Sequence, residues 1–395
     1  MADMPLWINF IIAFLVMNIL LVGMAYMTWL ERKVLAAMQD RLGPTRTGPK
    51  GLLQPLADGV KLLGKEDLIP AAADKWVFWF APMVVFVTAI VGVAVIPFGT
   101  GHISVFGQDI NLFVTDLNVG ALFVLAFGSI GVYGIILGAY ASANRYSLLG
   151  GLRSAAQVIS YEIVLGLSLV GIFILSGSLS LRDILSAQQG TIEIFGLSIS
   201  NWYVVTQPIA FIVFMIAAVA ETNRAPFDLP EAESELVSGF HTEYSAFRFS
   251  FYFLGEYISM IVVSLFASTL FLGGTSGPGT DSYWGLGIVW LLVKTILFLF
   301  FYIWLRATLP RFRYDQLMGI AWKVLLPIAL LNIMLTALFR LRGNDQISGG
   351  QMLLILAIAT GVVGGIWLLN QLSNRWAAAD AAAGLDQSPT RPGVG

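Results

Sequence analysis

Three glutamates, Glu162, Glu221 and Glu256, stand inside stretches of chain that are otherwise almost wholly apolar, and Lys294 stands in a fourth such stretch. An ionisable group at the centre of a membrane-crossing helix costs about 2.5–3.5 kcal/mol on insertion scales, so these residues are candidates for function by default. Burial and neighbouring like charge both favour the neutral acid, and an acid poised near the working pH can take up and release protons. The structural alternative is that one of them pairs with Lys294 or a backbone group and holds helices together. One lysine, however, cannot neutralise three acids. Residues 220–244 add a polar stretch with six carboxylates, among them Glu221, Asp228, Glu231, Glu233 and Glu235, and a single arginine, Arg224. Glu231 and Glu235 are four apart and would repel on one helix face unless protonated or set against a partner's basic groups. Glu221 and Arg224 are three apart, a spacing that suits a local ion pair. The plain alternative for the stretch is a solvated acidic loop.

The elements that must position these groups follow from composition. Of 395 residues, 57% are hydrophobic and 12% charged, with a mean hydropathy of +0.80. That is a polytopic membrane protein. A net charge of −2 gives no case for nucleic-acid binding. With no cysteine the chain cannot ligate an iron–sulfur cluster of its own, and its two histidines argue against zinc or haem. The start lacks a basic n-region and a small-residue cleavage site, so it reads as a retained span.

Nine segments have the roughly 20 apolar residues a bilayer crossing needs: 6–29, 77–97, 118–140, 156–176, 202–221, 251–272, 286–306, 321–340 and 351–371. Residues 1–373 therefore form one membrane domain, followed by an Ala-, Gly- and Pro-rich tail, 374–395, expected to be disordered and cytoplasmic. Sixteen Lys and Arg residues fall in the odd-numbered connections and three in the even ones. The positive-inside rule then puts the N-terminus outside and the tail inside. In the first connection, Leu52, Leu53, Leu56, Val60 and Leu63 recur at helical spacing, and Pro55 suits a first turn. This predicts a short amphipathic helix in the membrane interface; a cytoplasmic helix packed on a partner is the alternative. Glu162 and Glu256 come about six residues into their spans, roughly 9 Å deep, and Glu221 reaches the same side. If these helices pack together, the acids form a cluster leading towards the deeper Lys294.

These residues also carry a resemblance. The stretch 221–244 is similar to the signature loop of the quinone-site membrane subunit of proton-pumping NADH:quinone oxidoreductase, respiratory complex I. Bacterial members of this family are H subunits, and the mitochondrial counterpart is NADH dehydrogenase subunit 1. Further matches are Glu31-Arg32-Lys33-Val34-Leu35, Gly51 to Lys61, Tyr146-Ser147-Leu148-Leu149-Gly150 with Arg153, Ser160-Tyr161-Glu162, Glu256-Tyr257, Lys294-Thr295, Arg306 and Pro310 to Met318. They run in order from about residue 20 to 330. The ninth span and the tail lie beyond the eight helices common to the family.

The resemblance implies a subunit at the junction of the peripheral and membrane arms, in the bacterial inner membrane, and part of a proton-translocating enzyme. It would supply the quinone channel and its entrance from lipid, with spans 1 and 6 and the interfacial helix as walls. Quinone would be a substrate; FMN and iron–sulfur clusters would reside in partner subunits. Partners would be the peripheral-arm subunits at the quinone site and terminal cluster, and small membrane-arm subunits. Glu162, Glu221, Glu256 and Lys294 would lie on the proton path, with Glu231, Glu233 and Glu235 in the loop facing the cavity. Arg41, Asp58, Arg224, Phe227, Asp228 and Arg311 would shape the quinone channel or dock the peripheral arm. Two alternatives stay open: the membrane anchor of a related energy-converting hydrogenase, and a stand-alone proton-coupled transporter. Against the latter, the sequence has no internal repeat.

Overall fold

The computed structural model describes residues 6–99, 102–105, 108–194, 197–228, 238–280, 284–341 and 361. The chain order is α1 (Leu6–Met38), α2 (Gln54–Gly64), α3 (Lys75–Val91), α4 (Gly120–Ala141), α5 (Arg145–Ser176), α6 (Leu181–Ala187), α7 (Tyr203–Thr206), α8 (Pro208–Glu221), α9 (Ala246–Phe271), α10 (Trp284–Thr308), α11 (Tyr314–Gly319) and α12 (Leu326–Leu341). A π-helical turn, Ile320–Leu325, joins α11 to α12. The protein is all-α and polytopic. Among the described residues, seven helices are long and apolar enough to cross a membrane, and α8 is a shorter apolar helix. The ninth expected span, 351–371, and the tail fall outside the described residues except for Gly361.

Several helices outrun their apolar stretches. α1 continues nine residues past the expected span, which sets Glu31 and Ala36 in buried positions. α5 starts eleven residues early, where the Asn144 side chain caps it by accepting from the Tyr146 amide at 2.9 Å. The expected fifth span is broken: Gln207 leaves the helical region at φ −130° and ψ 55°, and Pro208, which has no N–H, opens α8. Two short antiparallel hairpins, His102–Val105 with Gln108–Asn111 and Thr191–Ile194 with Leu197–Ser200, lie in connections between helices.

α5 and α9 form the centre. In its most apolar window α9 is 72% buried, against 17% for α1, so α9 is packed by protein while α1 lies at the edge. α5 packs against α4, α8 and α12, burying Tyr161, Val164, Leu165, Leu169 and Ile172. α9 packs against α3, α10 and α1. The amphipathic helix forms as α2, at the expected place. Leu56, Val60 and Leu63 are exposed on it, and Arg32 of α1 binds its Asp58 at 2.8 Å.

Candidate functional site

α8 ends one residue before the polar stretch begins to turn. Asn223 adopts a left-handed φ of 50°, a conformation Asn tolerates better than most residues. The Arg224 amide donates to the Val219 carbonyl and the Asn223 amide to the Ala220 carbonyl, both at 3.3 Å. This Schellman stop fixes Glu221 in the last turn of α8. A Cβ on Gly128 of α4 would lie 3.1 Å from Glu221 Oε1, so glycine there leaves room for the carboxylate. Glu221 and Glu256 line one cavity of about 80 Å³, together with Thr88, Thr222, Asn223 and Ser259. A second cavity of about 50 Å³ also reaches Glu221, between Thr88, Ser259, Leu165 and Phe214. Both are large enough for water, and the first is polar enough to hold it. On α5, Glu162 accepts a hydrogen bond from Ser129 of α4 and lies close enough to Glu221 for the two carboxylates to interact electrostatically. The structure thus brings the three predicted acids to one region between α3, α4, α5, α8 and α9.

Lys294 is not part of that region. Its Nζ donates to the carbonyls of Leu272, Gly274 and Ser276 at 2.6, 2.9 and 2.7 Å, and lies 4.4 Å from the Trp202 ring centroid. Those carbonyls belong to the turn after α9, whereas Glu256 sits in the first half of that helix. The expected run of acids towards an amine is corrected: the ammonium finds its acceptors in a turn at the far end of α9.

Arg224 also departs from expectation. Its partner is not Glu221 but Glu31, at 3.5 Å. Glu31 further accepts from Tyr257 Oη at 2.6 Å and pairs with Arg306. The Arg224 guanidinium lies 4.1 Å from the Tyr257 ring centroid. Burial opposes its charge, but Tyr257, Glu31 and Glu256 outweigh that and raise Arg224 above the usual arginine value. Arg224 is thus paired at the Glu31 centre and also feels the charge of Glu256, which lines the first cavity. Glu31, Tyr257 and Arg306 belong to the motifs that carry the resemblance, yet nothing in their spacing marks them as site residues. The available signal was that Glu31 and Arg306 sit at the same-side ends of the first and seventh spans.

The start of the acidic stretch is fastened to α5. The Phe227 ring lies 5.5 Å from Tyr161 and 5.6 Å from Phe312, and Arg311 binds Asp228 at 2.9 Å. The Phe312 amide donates to the Pro226 carbonyl at 3.2 Å. Arg224, Phe227, Asp228 and Arg311 are thus gathered on one side of the bundle. Arg41 and Asp58 belong to a separate group around α2 and the turn before it, where Arg41 donates to Gln39 at 2.7 Å and Asp58 binds Arg32. Glu231, Glu233 and Glu235 lie outside the described residues. Beyond them, Ser147 Oγ donates to the Phe240 carbonyl at 2.8 Å and Asn144 to Glu243 at 2.6 Å. His241 is buried between the rings of Phe240 and Phe249, and burial lowers it to about 4. Tyr244 stacks on Phe78 with centroids 4.0 Å apart, and burial raises it to about 12.

A helical bundle with carboxylates and arginines enclosed between its spans defines a polytopic membrane protein with an ionisable interior. Comparison with known proteins narrows this. A family model described as NADH dehydrogenase matches residues 11–337. The H subunit of NADH-quinone oxidoreductase from Thermomicrobium roseum is 67% identical over 336 residues, covering 85% of this chain and 97% of that relative. An H subunit of the same enzyme from Geobacter metallireducens is 53% identical over 322 residues, covering 82% and 93%. The H subunit from Frankia alni is 49% identical over 373 residues, covering 93% of this chain and 79% of that relative. The chain belongs to the NADH dehydrogenase family, that of the H subunits of NADH-quinone oxidoreductase. The resemblance drawn from the motifs holds, and the family match is slightly longer than the motifs alone delimited.

Proposed function

We propose that this chain is the membrane subunit of a proton-translocating NADH-quinone oxidoreductase, where it forms the membrane end of the quinone channel and transmits quinone reduction to proton movement. The observation that carries this reading is that Glu221 and Glu256 line one cavity with Glu162 close enough to Glu221 to interact with it, while Arg224, paired with Glu31, feels the charge of Glu256. Reducing quinone consumes two electrons and two protons, so it changes charge and proton demand beside the channel. In this reading the acidic stretch, with Glu231, Glu233 and Glu235, follows that change. The buried acids then repartition protons and bias pumping elements in other subunits. Arg224, Phe227, Asp228 and Arg311 shape the inner channel and the peripheral-arm contact; Arg41, Asp58 and the exposed apolar face of α2 stand at its entrance from lipid. Lys294 drops out of the proton path because its three donors are engaged by turn carbonyls.

The enzyme is a multisubunit translocase in the bacterial inner membrane, and this subunit carries no redox centre. FMN and iron–sulfur clusters belong to partner subunits at the quinone site and terminal cluster, and small membrane-arm subunits flank this one. The names of the relatives favour this reading over a hydrogenase anchor or a lone transporter. The test is Glu221→Gln in native membranes, with NADH oxidised by quinone or by ferricyanide, which bypasses the membrane end. The expected result is a quinone rate reduced on the order of tenfold or more with ferricyanide reduction retained. Unchanged quinone and ferricyanide rates would make Glu221 a structural residue and end the proton-path reading.

A further inference from the structure

Gln157 of α5 is wholly buried. Its Nε2 donates to two backbone carbonyls, that of Ala220 at 2.9 Å and that of Phe227 at 2.7 Å, and lies 3.5 Å from Asn223 Oδ1. Ala220 immediately precedes Glu221, and its carbonyl accepts from the Asn223 amide at 3.3 Å as well as from Gln157. Phe227 begins the acidic stretch. One amide group therefore holds two points seven residues apart on opposite sides of the α8 stop. The next turn of the same helix completes the arrangement. Tyr161 touches Phe227 and donates to the Leu317 carbonyl at 2.9 Å, Ser160 accepts from Trp322 at 3.2 Å, and Glu162 interacts with Glu221. Among the described residues, Gln157 Oε1 is buried with no partner. The donor end is engaged by the backbone on both sides of Glu221.

We infer that Gln157 is a positioning residue that ties the start of the acidic stretch to the turn bearing Glu221, so that displacement of one is felt at the other. This inference rests on the proton-path reading above. A rigid linkage of this kind matters because catalytic geometry is sensitive to displacements of about 1 Å.

The experiment compares Gln157→Met, Glu221→Gln and the double variant in assembled complex in native membranes. Met keeps the length of the side chain and removes the donor. The expected result for Gln157→Met is a quinone-reductase kcat lower on the order of tenfold, with KM for a short-chain quinone within about twofold and ferricyanide reduction unchanged. Because Gln157 acts through Glu221, the double variant should be no slower than Glu221→Gln alone; non-additivity is the mark of groups that act as a unit. Should Gln157→Met not assemble, Gln157→Asn is read in the same way, since it keeps the amide but is too short to span both carbonyls. Wild-type kcat in an assembled Gln157 variant, effects that multiply in the double variant, or failure of both variants to assemble would each overturn the inference. Failure of the underlying reading looks different: Glu221→Gln itself would then show the wild-type quinone rate.

Discussion

Glu31 is a single buried carboxylate between two guanidinium groups and a phenol, and that asymmetry predicts how substitutions rank. Removing one member of a buried ionic group leaves its partner unpaired and costs about 3–5 kcal/mol. In Arg224→Met, Glu31 still has Arg306 and the Tyr257 hydroxyl. In Glu31→Gln, Arg224 and Arg306 face each other with only a neutral amide between them. Glu31→Gln should therefore lower the amount of assembled complex on native gels more than Arg224→Met does. His241 gives a prediction in pH. Burial lowers it to about 4 from an ordinary 6.5, so the folded protein resists a proton that the unfolded chain accepts. Its contribution is harmless above pH 6.5 and increasingly destabilising as pH falls to 4, by up to roughly 3 kcal/mol. His241→Asn should lose part of the acid-side drop in thermal stability of quinone-reductase activity, measured at pH 5 against pH 7.5. A variant with the wild-type acid profile would show that the drop arises elsewhere. None of this was legible beforehand. Depth can be counted along a chain, but the two cationic partners of Glu31, Arg224 and Arg306, lie 193 and 275 residues away from it.

At the scale of elements, α5 carries more of the site than any other helix. Asn144, Ser147 and Gly150 hold the far end of the acidic stretch; Gln157 and Tyr161 hold its start; Glu162 meets Glu221. Hydropathy found only the membrane-crossing part of this helix, because its first eleven residues include Arg145, Ser147, Arg153 and Ser154 and give no apolar signal. Capping and the packing of residues 239–241 extend it. Gly150 is the tightest of these contacts: an added Cβ would come within 2.8 Å of Gly239 Cα, which is backbone and cannot swing aside. Gly150→Ala should cost about 1–3 kcal/mol, read as a lower inactivation temperature of membrane-bound quinone reductase. Gly166 of the same helix, with nothing within 4 Å of the added methyl, is the control and should be neutral or slightly stabilising. The break before α8 was missed for a related reason. Gln207 and Pro208 sit inside an apolar run that averages well, and hydropathy has no means of registering a lost amide.

For the whole molecule, seven of the nine expected spans coincide with described helices long and apolar enough to cross a membrane, because the bilayer demands long apolar runs and composition records them directly; the fifth is broken before α8. Depth put the three acids at one level but made their grouping conditional on the helices packing together, which the structure supplies. What the level of a residue in its span could not supply was the reach of a long side chain along the bundle, as Lys294 shows. It was expected near the acids, yet among the described residues its ammonium lies with the carbonyls of Leu272, Gly274 and Ser276. This has a consequence for electroneutrality. A carboxylate beside a fixed lysine can stay ionised whatever passes nearby, and so can stand idle. Glu162 and Glu221 have each other as neighbours instead, and a charge on one is felt by the other. The two therefore titrate in coupled steps that belong to the pair and not to either residue alone.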